Sequence, residues 1–216
     1  MMQHSLLFVA LLTLLIPLVA PASNDTDELF THLVATDGPT DRFDAVMADL
    51  ANNQVIRGQF SQERLLKILK RPLQSEGSYL YAAGKGLYWQ IERPVQVAYV
   101  ITDNSVAEYN QDARNTNIQD TQWTKFIAAI ISGDATALGD QFKIYFLMRT
   151  EDWLIGLAPK RGPLANYLNF VKLRGVRYVE EITIEGKNGD TTRLLLSGIE
   201  TEPDFLTDEE AAYFTP

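Results

Sequence analysis

The chain has no cysteine and only two histidines, His4 and His32. Disulfides, thiol nucleophiles, thiolate zinc sites and iron–sulfur clusters are excluded at once. Basic residues are also scarce: 19 Lys and Arg stand against 28 Asp and Glu, a formal net charge of −9. A surface of that sign does not neutralise phosphates, so no nucleic-acid partner is expected. No Pro- or Ser-rich linker divides the chain, no internal repeat is visible, and no strand–helix–strand rhythm announces a Rossmann sheet. Gly84-Lys85-Gly86 lacks the Gly-Lys-Ser/Thr context of a phosphate loop, and there is no Gly-x-Ser-x-Gly elbow. Glu180 and Glu181 are consecutive on a strand pattern and point to opposite faces, which reads as solvated charge rather than a catalytic pair. His32 has no histidine at ligand spacing and reads as a surface or helix-packing residue. We therefore expect no catalytic residues, no metal and no cofactor.

What is abundant is apolar and aromatic side chain, 46% and 10% of the residues. The first block of it is Ser5 to Ala20, broken by Pro17 and followed by the small-residue pattern Ala20-Pro21-Ala22. Sixteen residues are short for a membrane span, which needs about 20. Residues 1–22 read as an export signal, although they hold no Lys or Arg, and an uncleaved anchor is the alternative. No cysteine follows for lipid attachment. The expectation is a protein of the periplasm, soluble and not lipidated, with residues 23–216 forming a single domain.

Past the leader, Asp25 to Val34 and Thr40 to Leu50 have helical spacing, the second with Phe43, Val46, Met47 and Leu50 on one stripe. Gly38-Pro39 punctuates them. From Gln54 the period changes to two. Val55 to Leu66, a short strand at Ile68 to Leu69, Ser75 to Ala82, Leu87 to Glu92, Gln96 to Thr102 and Val106 to Tyr109 read as an antiparallel meander. A helix over Asp120 to Ser132 carries Trp123, Phe126, Ile127, Ile130 and Ile131, with Asp120 or Thr121 as its cap. Strand patterns resume at Gln141 to Arg149, Trp153 to Pro159, Leu168 to Leu173, Val176 to Glu185 and Thr191 to Ile199, and Asp208 to Phe214 has helical spacing. Nine to eleven antiparallel strands with three helices point to a mainly β fold with α: a strongly curved sheet or unclosed barrel covered by helices. So many apolar residues on strands are either sheet core or the lining of an apolar cavity.

Between residues 58 and 94 the spacing is recognisable. Phe60-Ser61-Gln62 is followed by Gly77, then Leu87-Tyr88-Trp89 and Pro94. This resembles the periplasmic outer-membrane lipoprotein carrier family, LolA, which carries Phe-x-Gln, Gly-x-hydrophobic and Leu/Phe-x-Trp with a following Pro. The resemblance implies an unclosed antiparallel β-barrel under a helical lid, taking up acyl chains without covalent chemistry. On that basis the cavity candidates are Phe60, Tyr79, Tyr81, Trp89, Tyr99, Phe142, Phe146 and Trp153, and the lid candidates Trp123, Phe126, Ile127 and Ile130. The implied partners are an acylated lipoprotein or lipid/glycolipid cargo, an inner-membrane exporter of ABC or RND/MMPL type and an outer-membrane acceptor, with the carrier a monomer. One departure matters. Where the lipoprotein carriers have an Arg-Pro pair that helps latch the lid, Ala83-Gly84 stand here, with Lys85 the nearby cation. This resembles the branch of the family linked to export of glycolipids or aryl-polyene lipids. A sensor or interaction module on the same fold is the other function in view.

Overall fold

The structure is a computed structural model describing residues 25–34, 41–102, 105–109, 121–162 and 164–215, without the side chains of 121–125. The expected leader, the Gly38-Pro39 punctuation, the Asp120 cap and the side chain of Trp123 lie outside the described residues.

Ten antiparallel strands form one sheet: β1 (Val55–Leu65), β2 (Leu73–Ala82), β3 (Gly86–Arg93), β4 (Val97–Ile101), β5 (Val106–Tyr109), β6 (Phe142–Met148), β7 (Trp153–Pro159), β8 (Leu168–Gly175), β9 (Val179–Gly186) and β10 (Thr191–Glu200). Their order is β5-β4-β3-β2-β1-β10-β9-β8-β7-β6, so consecutive strands form two meanders that β1 and β10 splice together. The described sheet is open, with β5 and β6 at its ends. The helices are α1 (Asp25–Leu29), α2 (Asp41–Ala51), α3 (Thr121–Ile131), α4 (Ala135–Gln141), α5 (Leu164–Tyr167) and α6 (Asp208–Tyr213).

Register sorts the side chains, because directly paired residues share a face and neighbours along a strand do not. Phe60 pairs with Leu196 on β10, and Leu194 of β10 pairs in turn with Ile182 of β9. Ile182 pairs with Leu173, Leu173 with Ile155, and Ile155 with Phe146, which carries the same face to β6. In the other direction, Tyr79 pairs with Trp89 and Trp89 with Tyr99. This inner face and the apolar stripes of α2 and α3 make one cluster that includes Phe43, Met47, Leu50, Phe126, Ile130 and Ile131.

Two helices pack on the outer face instead. Leu29 of α1 is fully buried and, with Phe30, lies against Gly156 of β7, while the Phe30 ring meets Tyr145 and Phe170, both at 5.0 Å. Residues 32–34 then run along β6: Val34 N–H donates to the Ile144 carbonyl at 2.8 Å and Phe146 N–H to the His32 carbonyl at 3.0 Å. His32 is thus an exposed residue beyond the helix rather than on it. The helix α6 covers a second cluster of Val55, Leu80, Tyr88, Ala98 and Val100.

Three expectations are corrected. Ile68 and Leu69 form the turn of the β1–β2 hairpin, not a strand, and Ile68 is 88% exposed. Gln141 belongs to α4, a short helix hidden from the periodicity because it has no apolar stripe, Leu138 being its one buried residue, and because it contains Gly139. The helices number six rather than three among the described residues.

Candidate functional site

The inner face under α2 and α3 is where the expected cavity residues gather. Phe60, Tyr79, Phe142 and Trp153 are buried in its cluster, and Tyr81, Trp89 and Phe146 pack against it half-buried. Trp89 stacks on Phe60 with ring centroids 3.9 Å apart and lies 5.9 Å from Tyr79. Burial pushes the Tyr79 phenol well above its usual range and so favours its neutral form. Tyr99 shares the face by register but sits outside the packed cluster. Trp153 is an anchor as much as a lining: its indole Nε1–H donates to the Val176 carbonyl at 2.9 Å and its ring lies against Gly175.

From the lid helix, Phe126 and Ile130 are buried, with the Phe126 ring 5.0 Å from Phe142, and Ile127 packs half-buried beside them. Sequence reasoning favoured aromatics and so passed over the aliphatic half of the site. Leu194, Leu196, Ile182, Ile184, Ile155 and Val171 all lie on the same face. The alternation in Val179–Gly186 and Thr191–Glu200 carried that signal. The stripe of Phe43, Met47 and Leu50, read from the sequence only as a helix face, makes α2 a second covering helix.

A network of ion pairs lies on the other side of the sheet. Glu181 accepts from Arg193 at 2.9 Å and from Arg174 at 3.1 Å, and these pairs outweigh its desolvation to hold its carboxyl below the usual range. Asp152 is held low by its hydrogen bonds from Arg149, which also reaches Asp25 of α1 at 2.8 Å. An open groove of about 640 Å³ lies beside this network, lined by polar groups such as Ser61, Glu63, Gln74 and Arg193.

The lid is closed. Between α2, α3 and the sheet, a space of only about 10 Å³ lies among Leu50, Ile56, Tyr79, Ile131 and Leu196. A pocket that holds a small ligand measures roughly 300 Å³ or more. A larger pocket of about 340 Å³ lies where α3 and α4 meet the β2–β3 turn, lined by Tyr81, Lys85, Ile101, Phe126, Ala129 and Leu138. Among the described residues no backbone hydrogen bond ties α2 or α3 to a strand. Apolar side chains of both helices pack into the inner-face cluster. At the turn itself Gly84 has φ +70, which proline cannot adopt, and Ala83 N–H donates to the Gln54 carbonyl at 2.8 Å. An Arg-Pro pair does not fit this turn, where Ala83-Gly84 stand.

Similarity to solved structures is broad and distant. The LolA superfamily protein NE2245 from Nitrosomonas europaea aligns over 80% of this chain and 97% of its own, at 11% identity and a TM-score of 0.48. The complex of MucA and MucB from Pseudomonas aeruginosa aligns over 78% of this chain and 59% of the matched chain, at 10% identity and a TM-score of 0.47. A DUF1329 family protein from Desulfovibrio piger aligns over 80% and 95%, at 11% identity and a TM-score of 0.44. Comparison with curated proteins gives no match. The family model described as outer membrane lipoprotein carrier protein LolA, by contrast, matches residues 51–209, from the end of α2 into α6. With well over half its length so matched, and an open sheet whose apolar inner face is covered by helices, the chain belongs to the LolA outer-membrane lipoprotein carrier family.

Proposed function

We propose that this protein is a periplasmic carrier that shelters the acyl chains of a lipid or lipoprotein between the inner face of its sheet and the helices α2 and α3. The observation that supports this most is the continuous apolar inner face under two helices that, among the described residues, share no backbone hydrogen bond with a strand. A chain of about 14 methylenes gives up about 11 kcal/mol on leaving an apolar medium for water, so it crosses an aqueous compartment only under cover. The inner face offers that cover once α2 and α3 swing away, and the pocket beside Lys85 and Phe126 is the natural mouth. Because the closed form is already well packed, cargo pays to displace the helices. That cost keeps binding reversible, which a carrier between two membranes requires.

The turn at Ala83-Gly84 favours a cargo other than ordinary lipoproteins, with a lid governed by packing rather than by an arginine latch. A glycolipid or aryl-polyene lipid passed from an inner-membrane exporter to an outer-membrane acceptor is the finer reading. The test is uptake of a fluorescent sixteen-carbon fatty acid, followed through Trp89. Saturable uptake that quenches Trp89 emission, and loses that quenching in Trp89→Phe, supports the reading. No uptake, together with a stable protein partner, points to an interaction module.

A further inference from the structure

The β1–β2 hairpin ends in a feature the carrier reading does not use. Residues 64–73, Arg-Leu-Leu-Lys-Ile-Leu-Lys-Arg-Pro-Leu, hold four basic residues and no acidic one, in a chain of net charge −9. At the apex, Ile68 is 88% exposed and Leu69 43%, flanked by Lys67, Lys70 and Arg71, which are exposed too. The turn is held in shape: Leu69 N–H donates to the Leu66 carbonyl at 2.8 Å, and Lys67 N–H to Asp190 Oδ1 at 2.9 Å. Asp190 brings in the β9–β10 turn, where the Lys67 side chain lies across Gly189 and Lys187 N–H donates to the Tyr167 carbonyl at 2.9 Å. Tyr167, 77% exposed, therefore belongs to the same end of the molecule.

Apolar tips ringed by cations, with a tyrosine beside them, are what a membrane interface selects. Apolar side chains enter the boundary of headgroups and acyl chains, tyrosine sits at headgroup level, and lysines and arginines meet anionic lipid. A protein partner needs a larger surface, roughly 800 Å² a side, which a handful of side chains at a projecting turn does not supply. We propose that the β1–β2 tip is a reversible docking site for anionic phospholipid membranes, with Ile68 and Leu69 inserting and Lys67, Lys70 and Arg71 holding phosphates. It stands apart from the cargo proposal, since a tip of this kind binds membranes whether or not the inner face carries anything.

The experiment is flotation of the exported protein, purified from the periplasm, with phosphatidylcholine vesicles that do or do not contain phosphatidylglycerol. Binding is expected only with phosphatidylglycerol, and it weakens as salt is raised. Neutralising Lys67, Lys70 and Arg71 to Gln lowers partitioning about fivefold per residue, and Ile68→Asp with Leu69→Asp lowers it about tenfold or more. Both variants keep wild-type fatty-acid uptake, which separates this test from that of the cargo site. Ile68→Trp reports insertion directly, its emission moving to shorter wavelength on anionic vesicles only. Equal binding to both vesicle types, equal flotation of wild type and variants, or unshifted Ile68→Trp emission overturns the proposal. Absence of flotation also overturns it and leaves the basic tip to an acidic protein surface.

Discussion

Arg57 lies on the outer face of β1 and fastens the C-terminal segment to the sheet. Its Nε and Nη2 donate to the two carboxylate oxygens of Glu210 at 2.6 and 2.8 Å, while Nη1 and Nη2 donate to the carbonyls of Pro203 and Phe205 at 2.8 and 2.9 Å. Both charged side chains are 18% exposed. Glu210 also closes the capping box of α6, accepting from Thr207 N–H at 2.8 Å. Behind this clamp Tyr213 stacks on Tyr88 at 4.2 Å and covers the second apolar cluster. Arg57→Ala removes four charge-assisted hydrogen bonds, two of them the bidentate fork to Glu210, and leaves a largely buried carboxylate without its cation. We expect a loss of about 3 kcal/mol in urea unfolding, or about 6–12 °C in Tm for a chain of this size. Arg57→Lys recovers only part, because an ammonium cannot make the fork.

The cycle with Glu210→Gln isolates the pair, and its coupling should be about 1–2 kcal/mol. Acid tests it independently. The hydrogen bonds from Arg57 hold the Glu210 carboxyl down at about 2, against 4.5 for the free side chain. The unfolded chain therefore binds the proton first as pH falls, so the pair's contribution is whole above about pH 4.5 and gone near pH 2. The difference in stability between wild type and Glu210→Gln should shrink across that window. A coupling below about 0.5 kcal/mol, the value of an ordinary exposed pair, together with a pH-independent difference, would refute the reasoning.

Gly77→Ala should cost about 3 kcal/mol or more in urea unfolding: an added Cβ would meet the Gln90 carbonyl, backbone that β3 cannot withdraw without losing its pairing with β2. A loss under about 1 kcal/mol would show that the two strands are less tightly apposed. Phe126→Ala should lower the Tm of the empty protein, with about 3 kcal/mol lost, and lower it much less in saturating fatty acid, because the acyl chain fills the space the ring leaves. Equal losses with and without fatty acid would remove α3 from the cargo site.

Much of the fold was legible because register follows from alternation. Gly77, Tyr79 and Tyr81 fall on one face in the sequence and on one face in the sheet, and the turn at Gly84-Lys85-Gly86 was marked by its glycines. Phe142 and Phe146 likewise lie together, with Tyr145 turned the other way against Phe30. Where legibility failed, the physics is plain. Ile68 and Leu69 look like strand core only if apolar residues are assumed to be buried, and here two of them face solvent at a turn. The residues from Ala135 to Gln141 lack a helical apolar stripe, since α4 buries Leu138 alone and is started by the Asp134 cap. The aliphatic half of the inner face was hidden by its ordinariness, because Leu194 or Ile182 reads as core in any sheet. Only the pairing across β1, β10 and β9 shows that they continue the surface begun by Phe60 and Trp89.

The central claim, that the inner face carries an amphiphile, is tested most directly by gentle-ionisation mass spectrometry of the protein purified from its own periplasm without detergent. The account predicts a population heavier than the polypeptide by one lipid, whose fragmentation gives the acyl chains and names the cargo class, and which Phe126→Ala or Trp89→Phe alters. A protein that is uniformly empty, and that stays empty after exposure to fatty acid, would contradict it.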